Sequence, residues 1–88
     1  MNIDIVASIV ETMKENFDSH DFIKEFVWRY PSIYGQLLVD LDDVALAHAQ
    51  ISNYLLNHAQ ELGIEKTSEV DSDNLFGHIT PCGKWHKM

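Results

Sequence analysis

Three side chains near the end of this 88-residue chain have types and spacing that could do chemistry. They are His78, Cys82 and His86, in the run Gly-His-Ile-Thr-Pro-Cys-Gly-Lys-Trp-His. Imidazole and thiolate are both zinc ligands, and a structural zinc site uses four. Asp71, Asp73 or His58 would have to supply the fourth. The spacing of four and four matches none of the usual paired-cysteine or paired-histidine zinc patterns. On a regular strand, positions four apart share a face but lie about 13 Å apart. One ion would therefore require a bend at Pro81-Cys82-Gly83. The competing expectation is a surface hairpin with exposed histidines and a buried thiol. Cys82 with His78 or His86 also has the makings of a nucleophile and base. Such a dyad needs an orienting third group, a pocket and an oxyanion site, for which a short tail has little room.

The rest of the chain carries no catalytic motif. There is no Gly-rich phosphate loop, no His-Glu-x-x-His and no Ser-centred elbow. The adjacent acids Asp42 and Asp43 read as a helix cap rather than a catalytic pair. His48 and His58 fall on different faces of one helix and cannot readily share a ligand. The expectation is a non-enzymatic protein with no cofactor.

Charge narrows the partners. The net charge is −8, and it is unevenly placed. Residues 1–65 hold eleven acids against Lys14, Lys24 and Arg29, while residues 66–88 balance three acids with Lys66, Lys84 and Lys87. No Lys or Arg occurs between Arg29 and Lys66. Nucleic-acid affinity comes mostly from cations that release phosphate counterions, and this chain has few. A basic protein surface is the partner that charge favours. An acidic coat that merely keeps a small protein soluble is the plainer alternative. No apolar run is long enough to span a membrane, and the opening Met-Asn-Ile-Asp lacks the pattern of a secretory signal. The single cysteine cannot form an internal disulfide. A reduced, cytoplasmic protein of one domain is expected.

The elements that must position these residues follow from periodicity. A first helix over 3–16 is capped by Asn2 and puts Ile5, Val6, Ile9, Val10, Met13 and Phe17 on one face. The break Asp18-Ser19-His20-Asp21 starts a second helix over 20–30, with a stripe of Phe22, Ile23, Phe26, Val27 and Tyr30. Trp28 falls off that stripe, so a patch of Trp28, Tyr30 and Pro31 is a candidate contact site. Pro31 ends this helix and opens a third, over 32–40. The longest helix runs from the Asp42-Asp43 cap to Gly63, whose backbone freedom suits a helix end. From Ile64 the composition changes to turn formers and short β-compatible runs, pairing about 65–70 with about 83–87. The expected fold is mostly α with a small C-terminal β-hairpin, an α+β bundle of about four helices over 1–63 with a wing over 64–88.

Helices followed at once by a hairpin resemble a winged helix-turn-helix domain over about residues 31–87. The stretch Ala49 to Thr67, closing on Leu62-Gly63-Ile64, is similar to a recognition helix and the start of its wing. The resemblance implies a groove-facing set of His48, Gln50, Ser52, Asn53, Asn57 and Gln60, in which Asn and Gln would read adenine edges. It also implies phosphate contacts, for which only Lys66, Lys84 and Lys87 are at hand. Dimerisation through the first helix would then have to supply affinity that charge does not. The helix itself has no basic residue, and Asp40, Asp42, Asp43 and Glu61 bracket it.

The favoured expectation is therefore a small acidic interaction protein, an inhibitor or accessory factor of the phage type. It would engage a basic partner by nucleic-acid mimicry. Its contact residues would be Trp28, Tyr30, Asp40, Asp42, Asp43, Gln50, Asn53 and Asn57. The alternative is a dimeric winged-helix regulator that binds DNA through Gln50, Asn53, Asn57, Lys66, Lys84 and Lys87.

Overall fold

The chain alternates helix and strand more than its hydrophobic pattern suggests. The computed structural model describes residues 1–88. Helix α1 spans Ile3–Thr12, and the Asn2 side chain accepts from the Asp4 N–H at its start. It stops short of residue 16 because Met13 turns to an extended backbone. A short strand, β1, follows over Asn16–Asp18. Phe17 thus reaches the core from a strand rather than from the face of α1.

Helix α2 spans Ser19–Arg29 and opens on a reciprocal cap. Asp18 accepts from the Asp21 N–H at 2.8 Å, and Asp21 accepts from the Asp18 N–H at 3.0 Å. Two otherwise orphaned donors are satisfied together. Pro31 then opens α3, Pro31–Leu41. The two acids after it divide their work. Asp42 takes a left-handed conformation, φ 51°, that ends α3, and Asp43 caps α4 by accepting from the Leu46 N–H.

Helix α4 covers Val44–Asn57, shorter than the sequence suggests. It breaks at His58, which stacks on Tyr54 and contacts Glu61, and a single further turn, α5, covers Ala59–Leu62. Gly63, at φ 68°, closes it as expected. The expected bundle of about four helices is therefore five.

Strands β2, Ile64–Asp73, and β3, Ile79–Lys87, form an antiparallel hairpin longer than 65–70 with 83–87. Asn74 closes its turn by accepting from the Phe76 and His78 N–H groups. A register shift between Lys66 and Ser68 marks a bulge. Pro81, outside the expected pairing of about 83–87, lies inside β3. Strand β1 pairs only with Lys84–His86 of β3, so β3 has an open edge at Pro81, where a missing N–H is tolerated. The hairpin is not a C-terminal appendage, because β1 makes it a three-stranded sheet of order β1-β3-β2. The fold is α+β, five helices against this sheet.

One cluster forms the core. It draws Val6, Ile9 and Val10 from α1, Phe22, Ile23 and Phe26 from α2, Tyr34 from α3, Ile51 and Leu55 from α4, and Phe17, Ile64 and Trp85 from the sheet. Trp85 is opposite Phe17 in the β1–β3 register, and its indole N–H donates to the buried Ser19 hydroxyl at 3.0 Å. This bond ties the sheet to the first turn of α2, the region where the polar groups described next converge. No helix is long and apolar enough to cross a membrane.

Candidate functional site

The outer face of α4 carries an open recess. A groove of about 350 Å³ is lined by Leu41, Leu46, Ala49, Gln50, Asn53, Tyr54 and Asn57. Leu46 is 56% exposed at its edge, and Leu56 and Val39 are exposed nearby in sequence on α4 and α3. Isolated exposed apolar residues need no explanation, but leucines at a recess supply anchoring area. Asp40, Asp42 and Asp43 are exposed at the α3–α4 corner. Their carboxylates are spoken for only locally: Asp40 accepts from Gln36, and Asp43 caps α4. Gln50, Asn53 and Asn57 are exposed on this face, and all three line the groove. The structure therefore brings together six of the eight expected contact residues as one corner and one helix face.

Trp28 and Tyr30 are not brought together. Trp28 is 82% exposed, whereas Tyr30 packs on the core, with its ring near Phe26 and its hydroxyl 3.3 Å from that of Ser8. Trp28 sits on the last turn of α2 and Tyr30 at its C-cap, and their side chains point in different directions.

The cations of the sheet are mostly engaged. Lys66 pairs with Glu69 at 2.6 Å, and Lys87 donates to the Glu11 carbonyl at the end of α1. Lys84 is exposed and makes no ion pair. His86 sits beside Asn16, at 3.0 Å, and Glu15.

The trio His78, Cys82 and His86 is not a cluster. His78 is exposed in the turn after β2, Cys82 lies midway along β3, and His86 is drawn to β1 at the far end. An extended strand holds them apart, and the bend needed at Pro81-Cys82-Gly83 is absent because all three residues stay in register with β2. Cys82 instead meets Asp18 and His20. One ligand-type atom from each of Asp18, His20 and Cys82 lies within 4.8 Å of the others. His20 is buried, with Nδ1 2.8 Å from the Ser72 hydroxyl and Nε2 3.4 Å from that of Thr80. The Cys82 thiol is 3.7 Å from the same Ser72 hydroxyl. Sequence reasoning used Asp18 and His20 only as a helix break. The pairing of residues 16–18 with 84–86 brings them to Cys82, and a three-residue strand leaves no periodic signal.

His48, an expected groove reader, faces inward instead. Its Nε2 is 2.7 Å from the Tyr34 hydroxyl, and its ring stacks on Phe76 of the hairpin turn. Burial, and then the nearby His20, hold its pKa below the usual histidine value. Burial raises that of Tyr34, so a protonated phenol faces a neutral imidazole, and the tautomer of His48 sets which of the two donates. His20, His48, Ser52, Asn53, Lys66, Glu69 and Cys82 all line a second cleft, of about 340 Å³, between α4 and the hairpin. Against protein-family models, curated proteins and solved structures, the chain finds no match.

Proposed function

We propose that this chain is a non-enzymatic interaction module whose docking face is the α3–α4 corner and the outer side of α4. The carrying observation is the juxtaposition there of an apolar, amide-lined groove with three exposed acids and no basic residue. The fitting partner is a protein that presents an apolar anchor flanked by Lys or Arg. A surface of the kind that otherwise holds phosphates has that chemistry, so inhibition by charge mimicry is the mode of action proposed. The apolar groove would supply most of the affinity, and the acids would supply encounter rate and orientation.

The test uses a defined probe, a cationic amphipathic helical peptide, titrated into the protein at low and high salt. Three substitutions, Asp40→Asn, Asp42→Asn and Asp43→Asn, remove charge while keeping the local structure. Asparagine caps a helix and tolerates the left-handed region as aspartate does. The combined variant should fold normally and bind at least about tenfold more weakly, with a flatter salt dependence. Equal binding by both proteins would end the reading.

A second reading is a winged-helix DNA-binding regulator. The order of helices followed directly by a hairpin, with exposed amides on the helix before it, supports this reading. Titration of a random-sequence duplex at low salt separates the two. Saturable duplex binding that is lost in a Lys66, Lys84 and Lys87 variant favours the regulator.

A further inference from the structure

We propose that Asp18, His20 and Cys82 form a site for one divalent transition-metal ion, with zinc the fitting metal. A carboxylate, an imidazole and a thiol converge from the cap of α2, its second residue and the middle of β3, and their ligand-type atoms lie within 4.8 Å of one another. The mixed set discriminates between metals. Magnesium and calcium take all-oxygen shells, whereas zinc accepts sulfur, nitrogen and oxygen together. With metal–ligand bonds of about 2.0–2.3 Å, tetrahedral ligands sit roughly 3.3–3.8 Å apart. The site must therefore close by about 1 Å, which rotation of the half-exposed Asp18 and Cys82 side chains can supply.

The surroundings suit such an ion. The imidazole is the fixed member, only 8% exposed and held at Nδ1 by Ser72. Its Nε2 makes only the longer contact with Thr80. Either ring nitrogen can ligate by giving up its hydroxyl partner, while the other keeps the ring in place, the usual arrangement of a ligating histidine. Asp18 uses Oδ1 to cap α2, which leaves Oδ2 for a metal. The thiol has no partner except Ser72, at 3.7 Å. Carboxylate and thiolate together carry two negative charges, which a divalent ion neutralises, with water in the fourth position. Ser72 would then act as a positioning residue, since it touches both His20 and Cys82. The site joins α2 to both long strands, so its loading would stiffen the junction that underlies the second cleft. The proposal does not rest on the docking face, although Asn53 lines both that groove and the second cleft.

The test is cobalt titration of the untagged, chelator-treated full chain. The expected result is saturation at one equivalent, with the visible bands of tetrahedral cobalt and a sulfur-to-cobalt charge-transfer band. Cys82→Ser should abolish the charge-transfer band. Asp18→Asn, which keeps the helix cap, and Ser72→Ala should each weaken binding by at least about tenfold. His78→Ala and His86→Ala should leave the titration unchanged. His20→Gln should abolish saturation, with far-ultraviolet circular dichroism checking its fold; if it does not fold, Cys82→Ser and Asp18→Asn decide. Absence of cobalt bands in the parent protein overturns the proposal. So does a charge-transfer band that survives Cys82→Ser, or bands that disappear with His78→Ala or His86→Ala.

Discussion

Replacing Ser19 by alanine probes the joint between helix and sheet. The hydroxyl is almost fully buried and accepts from the Trp85 indole N–H at 3.0 Å, while Trp85 itself is 2% exposed. Its second contact, to the Gly83 carbonyl, is long at 3.5 Å and contributes little. Removing the acceptor leaves a buried donor unpaired, at a cost of about 1–3 kcal/mol. Alanine is the better helix former, which returns roughly 0.5 kcal/mol in the first turn of α2. The net loss should be about 1–2 kcal/mol, a sizeable share of the roughly 5–15 kcal/mol that holds a domain folded. Urea unfolding followed by fluorescence measures it directly, because the exposed Trp28 changes little on unfolding and Trp85 dominates the shift. The decisive comparison is a double-mutant cycle with Trp85→Phe, followed by circular dichroism. In the phenylalanine background there is no donor to orphan, so Ser19→Ala should be neutral or slightly stabilising. An equal cost in both backgrounds would refute the hydrogen-bond argument and make Ser19 a packing residue only.

Other consequences follow from the core, the half-buried His48 and the proposed docking face. Ile51 is fully buried in α4, and Ile51→Ala should lose about 2–5 kcal/mol in chemical denaturation. His48 has a folded-state pKa below its ordinary value of 6.5, so the unfolded chain takes up its proton first as pH falls. Its contribution to stability is therefore complete above pH 6.5 and is lost as pH drops through the lower, folded-state value. Urea midpoints measured from about pH 8 to about pH 5 should fall, and His48→Gln should flatten that fall. Leu46→Ser with Leu56→Ser should change stability by less than about 0.5 kcal/mol, since both side chains are exposed, yet weaken peptide binding by about tenfold or more.

Some of this was legible in the sequence, and the reasons differ by element. Pro31, the Asp42-Asp43 pair and Gly63 act through local backbone chemistry, and each ends or starts a helix close to its expected place. The stripes of α1, α2 and α4 also reach the core, because helical periodicity is written in adjacent residues. The expectation failed where long-range pairing decides. Asn16–Asp18 continues the polarity of α1 and becomes a strand only because β3 is there to pair with it. Pro81 falls outside the expected strand because its propensity is poor, and tertiary pairing overrides it. The same blind spot hid the polar cluster. Cys82 was singled out, but its neighbours are 62 and 64 positions away rather than four. On the outer face of α4, the exposure of Gln50, Asn53 and Asn57 was legible from the helix period. The inward turn of His48 depends on Tyr34 and Phe76, which no local pattern connects.

The central claim is that the acidic α3–α4 face binds protein rather than nucleic acid, and amide-resolved NMR of one isotopically labelled sample tests it most directly. The same protein is titrated in parallel with a cationic amphipathic peptide and with a random-sequence duplex at low salt. The account predicts peptide-induced shifts confined to the Val39–Asn57 surface, centred on Leu46, Gln50 and Asn53, and no response to the duplex. Duplex-induced shifts at Gln50, Asn53 and Asn57 together with Lys66, Lys84 and Lys87, with none from the peptide, would contradict it.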